Sequence, residues 1–152
     1  MKSMQQWFSD YAISHQNPTN QTIHYICVPA IFFSIIGLIM SIPSSFLIEK
    51  TGINNPIIIN WSVLILVPIL IFYLRLSVKV FIQMLLFSAV CIVGNYYISL
   101  NINLLLFSIV LFIIAWIGQF YGHKLEGKKP SFLKDLQFLL IGPAWVFKKI
   151  FS

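Results

Sequence analysis

The side chains in this sequence best equipped for chemistry are three histidines, His15, His24 and His123, and a glutamate, Glu126, three positions beyond the last. Glu126 lies in the stretch Trp116 to Pro130, WIGQFYGHKLEGKKP, where an apolar run stops at a histidine, a glutamate and several lysines. If that stretch stays helical, Gln119, His123 and Glu126 stand at i, i+4 and i+7 and share one face. Imidazole and carboxylate both serve as metal ligands and as acid/base groups. Cys27, three residues after His24, adds only a weak soft-metal signal, because no second pair accompanies it. Cys27 and Cys91 both lie inside apolar runs, where cysteine behaves as a small hydrophobe, so no disulfide framework is indicated.

The elements that must position these residues are dictated by composition. The chain has 152 residues, enough for one domain, with 59% hydrophobic residues and 9% charged. Soluble domains carry roughly 25% charged residues, so the chain reads as a membrane protein. The first twenty residues contain no apolar core with a cleavable small-residue site, and the mature chain is expected to start at Met1. The fold expected is all-α and integral to the membrane, a single domain over 1–152 with spans at about 25–42, 57–74, 80–98 and 104–120. The first of these rises about 27 Å at 1.5 Å per residue, just enough for the hydrocarbon core. Before it, Met4, Trp7, Phe8, Tyr11 and His15 form one apolar stripe of an amphipathic helix, closed by Asn17, Pro18, Thr19 and Asn20. After Pro130, residues 138–147 are apolar but short and hold Gly142 and Pro143, which predicts an interfacial or re-entrant segment. Trp7, Trp61, Trp116 and Trp145 are expected as interface anchors, and Asn60, Gln83 and Asn95 as interhelical hydrogen-bond partners.

Four spans put the amino terminus, the second loop and the carboxyl tail on one side of the bilayer. That side holds nine of the ten basic residues, and Lys50 alone lies on the other. The positive-inside bias predicts that both termini face the cytoplasm. The lysines therefore orient spans and meet anionic headgroups, which explains the net charge of +6 without nucleic acid. The same count places all three histidines on the cytoplasmic side. Asp10, Asn17 and Asn20 lie near the first pair, and Gln119 and Glu126 near the third. Three imidazoles close to one carboxylate suit iron or zinc. A single histidine at a bilayer boundary can equally bond a carbonyl or meet a headgroup, and Glu126 among lysines can be a surface ion pair worth little.

Two clusters are specific beyond composition. His15-x-Asn17-Pro18-x-Asn20-x-x-x-His24, followed by Val28-Pro29, is one. Trp116-x-x-Gln119-Phe120-x-Gly122-His123-x-x-Glu126-Gly127-x-x-Pro130, followed by Gly142-Pro143, is the other. Together they resemble the small membrane-protein family typified by the yeast 2-hydroxy fatty acid dioxygenase, over nearly the whole chain. The resemblance implies an Fe(II)-dependent enzyme of fatty acid alpha-oxidation that uses dioxygen to remove one carbon from a 2-hydroxy fatty acid, with no 2-oxo acid cosubstrate. It implies metal ligation by His15, His24 and His123 and a catalytic role for Glu126. The family's acidic residue after the Gly-Pro has no counterpart here, where Lys148 and Lys149 occupy that region; Asp10 or Asp135 would stand in for it.

A 2-hydroxy acid can chelate iron through its carboxylate and hydroxyl, which suits a site with few protein ligands and open positions. Gln119, Asn20, Lys124 and Lys128 are the expected substrate contacts, with Lys129 adding attraction for the anionic head and Phe32, Phe33 and Phe112 available to line the acyl chain. Two other functions fit the same residues: a zinc-dependent lipid hydrolase, and a non-catalytic lipid-binding membrane protein whose histidines only sit at the interface. The short chain without a retention signal favours a bacterial inner membrane over endoplasmic reticulum.

Overall fold

Helix signals recur along the whole sequence, and the computed structural model, which describes residues 3–13, 15–127 and 141–149, is helices joined by short turns, with no strand among the described residues. Six helices run in order: α1 (Met4–Ile13), α2 (Pro18–Met40), α3 (Ser45–Thr51), α4 (Trp61–Leu76), α5 (Val78–Ser99) and α6 (Leu104–Leu125). A seventh, α7, covers residues 141–149. Lys128, Lys129, Lys134 and Asp135, and residues 138–140 of the expected C-terminal segment, lie outside the described residues.

Local chemistry sets the starts. Ser3 and Gln6 cap α1 reciprocally, the Ser3 N–H donating to Gln6 Oε1 at 2.8 Å and the Gln6 N–H to Ser3 Oγ at 3.3 Å. Asn17 Oδ1 accepts from the N–H groups of Thr19 and Asn20, and Pro18 takes the first helical position, where its missing N–H is no loss. α2 therefore begins at Pro18, earlier than the span expected from Tyr25, because a polar first turn adds helix without adding hydropathy. Pro29 sits in mid-helix, where it has no N–H to offer the Tyr25 carbonyl.

α2, α5 and α6 are long and apolar enough to cross a membrane, with mean hydropathy over their best windows of 2.2, 1.8 and 2.3. At 22 or 23 residues each would rise about 33 to 34 Å. α4 is apolar but only 16 residues long, about 24 Å. Its expected start at Ile57 gives way to a turn because Asn60 caps the helix, accepting from Val63 N–H at 3.1 Å and donating to the carbonyls of Pro56 and Ile57. Asn60 is thus a cap, not the interhelical partner its sequence position suggested. α3 occupies part of the expected first loop and ends at Gly52, whose φ of 68° only glycine adopts readily.

The chain divides into two compact units, residues 1–32 with 112–152 and residues 33–111. In the second, α4 and α5 pack together, joined by the single extended residue Ser77. Its core is apolar, with Leu66, Tyr73, Val80, Met84 and Cys91 buried, while Leu64, Val67, Ile71, Leu86 and Val90 on the same helices are exposed. Apolar residues on both faces are what lipid solvation of the outer face requires. Two of the buried polar groups there lean on main chain: Ser62 Oγ donates to Ile36 O, and Asn95 Nδ2 to the carbonyls of Phe33 and Cys91. The first unit gathers α1, α7, the start of α2 and the end of α6 around Tyr11, Val28, Ile31, Trp116, Ile141 and Trp145.

Candidate metal centre

All three histidines fall in the first unit, and all are buried: His15 is 3% exposed, His24 1% and His123 4%. Their ligand nitrogens lie within 4.8 Å of one another. The ring centroids of His15 and His24 are 4.2 Å apart, those of His24 and His123 5.1 Å, and those of His15 and His123 5.5 Å. Residues separated by a hundred positions thus meet in one pocket of imidazole, which histidines merely placed at a boundary would not do.

Each ring is held by its own element. His15 follows α1, and its Nδ1 lies 2.6 Å from the Tyr11 carbonyl, while the Tyr11 ring stacks on it at 4.1 Å and 3°. His24, one turn past Asn20 on α2, sets its Nδ1 2.9 Å from the Asn20 carbonyl. The Gln119 side chain bonds the His24 ring as well. A carbonyl oxygen can only accept, so Nδ1 carries the proton in both rings. This is the neutral tautomer a metal needs, with the orienting hydrogen bond already in place. His123 comes from the last turn of α6.

Two devices bring the pieces to one place. Glu126 accepts from the Gln16 N–H at 2.8 Å through Oε1, and from the Asn17 N–H at 3.0 Å and Asn20 Nδ2 at 2.9 Å through Oε2. It ties the turn after His15 and the start of α2 to the end of α6. Burial alone would raise the Glu126 carboxyl, but the hydrogen bonds from Asn20, Asn17 and Gln16, with the His15 ring nearby, hold it below the ordinary carboxylate range. Gln21 Nε2 adds a bond to the His15 carbonyl at 2.8 Å. The second device is absence of side chain. A Cβ on Gly122 would run into Asn20 Oδ1, and one on Gly118 into Cys27 Sγ, so these glycines let α2 and α6 approach.

The donor set fits a metal. Imidazole nitrogens suit iron, zinc, copper or nickel, and three of them leave coordination positions open. Two nitrogens each about 2.1 Å from one ion can be at most ~4.2 Å apart, so closing on it would ask for a shift of roughly half an ångström. Of the other residues singled out in the sequence, Gln119 is 5% exposed and adjoins His24, and its Nε2 has no hydrogen-bond partner among the described residues. Asn20 is fully buried, with its Nδ2 engaged by Glu126. Lys124 is exposed on α6. Phe32 is buried and Phe112 half-buried in this unit, whereas Phe33 belongs to the other.

Sequence reasoning passed over Tyr11 as a ring support and took Trp145 for an interface anchor. Trp145 is only 2% exposed and packs 5.0 Å from the Tyr11 ring and 5.9 Å from His15. The i, i+4 spacing of Tyr11 and His15 on one helical stripe was the available signal for the first.

A family model described as 2-hydroxy-palmitic acid dioxygenase Mpo1-like matches residues 1–152, the whole chain. The chain belongs to the Mpo1-like family. No curated protein and no solved structure matches it. For a member of the Mpo1-like family the buried histidine triad is a centre that could bind a metal, and the family name suggests a dioxygenase acting on 2-hydroxy fatty acids.

Proposed function

We propose that this chain is an Fe(II)-dependent dioxygenase that removes one carbon from a 2-hydroxy fatty acid at the cytoplasmic face of a membrane. One observation carries the reading: His15, His24 and His123, buried together with the Nδ1 atoms of His15 and His24 tied to carbonyls, in a chain that the 2-hydroxy-palmitic acid dioxygenase family covers end to end. The reaction balances without a cosubstrate. A 2-hydroxy acid and one dioxygen give the acid one carbon shorter, carbon dioxide and water, the four electrons dioxygen takes coming from the two carbons of the substrate head. Bound Fe(II) supplies dioxygen activation and open positions for a carboxylate and a hydroxyl.

The chain's own residues would divide the remaining work. His15, His24 and His123 hold the metal as neutral ligands. Gln119 has a buried amide donor to spare beside His24, suited to the substrate carboxylate or hydroxyl. Glu126 and Asn20 act as positioning residues, since their hydrogen bonds fix the turn that carries His15. Tyr11 and Trp145 cover His15 and exclude water. α4 would make the fourth crossing, the bilayer thinning or Arg75 snorkelling to suit its length. The basic residues would put both termini in the cytoplasm, with a bacterial inner membrane as the setting.

The test is direct. Protein purified without chelators should contain about one iron per chain and should consume oxygen on 2-hydroxypalmitate, releasing pentadecanoate. Fully iron-loaded protein that takes up no oxygen on any 2-hydroxy acid would sink the assignment, and zinc in place of iron with ester or amide cleavage would put a lipid hydrolase there instead.

A further inference from the structure

Trp145 also borders a cavity of about 330 Å³ between α1 and α7, none of whose lining residues is a histidine. α1 contributes Gln5, Phe8, Ser9 and Ala12, at i, i+3, i+4 and i+7, one continuous face. α7 contributes Trp145, Lys148 and Lys149. The volume is within the range of small-ligand pockets. The Lys148 ammonium lies 4.8 Å from the centre of the Phe8 ring and the Lys149 ammonium 5.9 Å from that of Trp145. An aromatic face orients an ammonium but accepts none of its three N–H bonds well. Among the described residues neither lysine is ion-paired, and Asp10 is on the side of α1 away from the cavity-lining face.

Two adjacent cations beside aromatic rings, at the exposed mouth of the cavity with Gln5 and Ser9 as further polar groups, suit an anion attached to something apolar. The space has room for a carboxylate and the first methylenes of one chain. We propose that this cavity binds the carboxylate head of a long-chain fatty acid, with Lys148 and Lys149 as its charged partners and Trp145 as the partition between it and the histidine centre. It is a vestibule, in which the substrate's charge is held before the head passes the indole. The proposal rests on the dioxygenase reading for its substrate class and on the cavity's own geometry for its place. It also gives Lys148 and Lys149, which stand where the family resemblance leads one to expect an acid, a function of their own.

Palmitate lacks the 2-hydroxyl needed for chelation and is the probe of choice. Its binding to the purified protein in detergent, measured by equilibrium titration, should weaken at least tenfold in the double variant Lys148→Gln/Lys149→Gln. Lys148→Arg/Lys149→Arg should retain it. Palmitate binding should survive His24→Ala, which empties the metal site, and the metal content of both lysine variants should match the parent. On 2-hydroxypalmitate the glutamine variant should show a raised KM with kcat kept. Unchanged palmitate affinity in the glutamine variant overturns the vestibule. So does loss of bound phosphatidylglycerol with palmitate unaffected, which would make the cavity a phospholipid headgroup site. If the parent protein consumes no oxygen, the dioxygenase reading fails, while the palmitate titration still decides the cavity.

Discussion

The two units solve the problem of buried polarity in opposite ways. In residues 33–111 the buried polar side chains Ser62 and Asn95 donate to main-chain carbonyls inside an apolar helical packing, while Ser88 Oγ and Ser108 Oγ have no hydrogen-bond partner among the described residues. In residues 1–32 with 112–152, buried imidazoles and amides cluster beside the half-buried Glu126, whose carboxylate accepts from the Gln16 N–H and from Asn20 Nδ2, while His15 Nδ1 lies against the Tyr11 carbonyl. A polar group bonded to a carbonyl in a membrane helix only holds helices together. A cluster of imidazoles can hold something else. The lesson is that burial alone does not mark a functional residue in this chain; clustering does.

The sharpest way to break the contrast is to remove a ligand. His24→Ala or His123→Ala should lower metal affinity by ~100-fold or more and abolish oxygen uptake, while Ser62→Ala, equally buried in the other unit, should leave metal content unchanged. Metal analysis of the three purified variants checks this. Next in size is a pair of matched insertions. Gly122→Ala drives a methyl into Asn20, and Gly37→Ala drives one into Asn95 and Ser108. Each should destabilise by ~1–3 kcal/mol in thermal unfolding, yet only Gly122→Ala should weaken metal binding.

Glu126 offers a finer test through pH. Its carboxyl is held below the ordinary value of 4.5 despite its burial, by hydrogen bonds from Asn20, Asn17 and Gln16. A group whose folded pKa is depressed contributes stability that is present above its unfolded pKa and lost as pH falls through the folded one. Unfolding midpoints should therefore drop as pH falls from about 5 into the acid range, and Glu126→Gln should flatten that slope while weakening metal binding roughly tenfold. A slope unaltered by the substitution would remove Glu126 from its tying role. The smallest effect is expected from Asn95→Ala, about 1 kcal/mol in unfolding with full metal content and activity, the ordinary worth of one such bond inside a membrane protein.

How far the sequence reached follows the same division. Hydropathy located the long helices because a long apolar run is written in composition. It could not say that α2 starts at Pro18, since Thr19, Asn20 and Gln21 are helical for reasons of capping and tertiary contact that leave hydropathy blind. α3 was hidden in a loop for the same reason, and Asn60 was misplaced because a cap and an interhelical bond need the same side chain. The clustering of His15 with His24 depended on a fold-back at residues 15–17, which is held by Glu126 from far along the chain. No local pattern encodes that. Trp145 was misread because an indole at a boundary and an indole packed on a tyrosine look alike in a sequence.

The hydrogen bond from the Gln16 N–H to Glu126 spans 110 positions. Two ligands of the centre are made in the first 24 residues, but the third arrives with the last turn of α6, after every other apolar helix from α2 to α5 has been synthesised. The histidine centre is therefore a late event in biogenesis. A nascent chain carries His15 and His24 for most of its synthesis without a place to put a metal, and gains that place only when residues 123–126 emerge and close the loop. Were the three imidazoles to hold a metal as proposed, its capture would require a chain complete through α6.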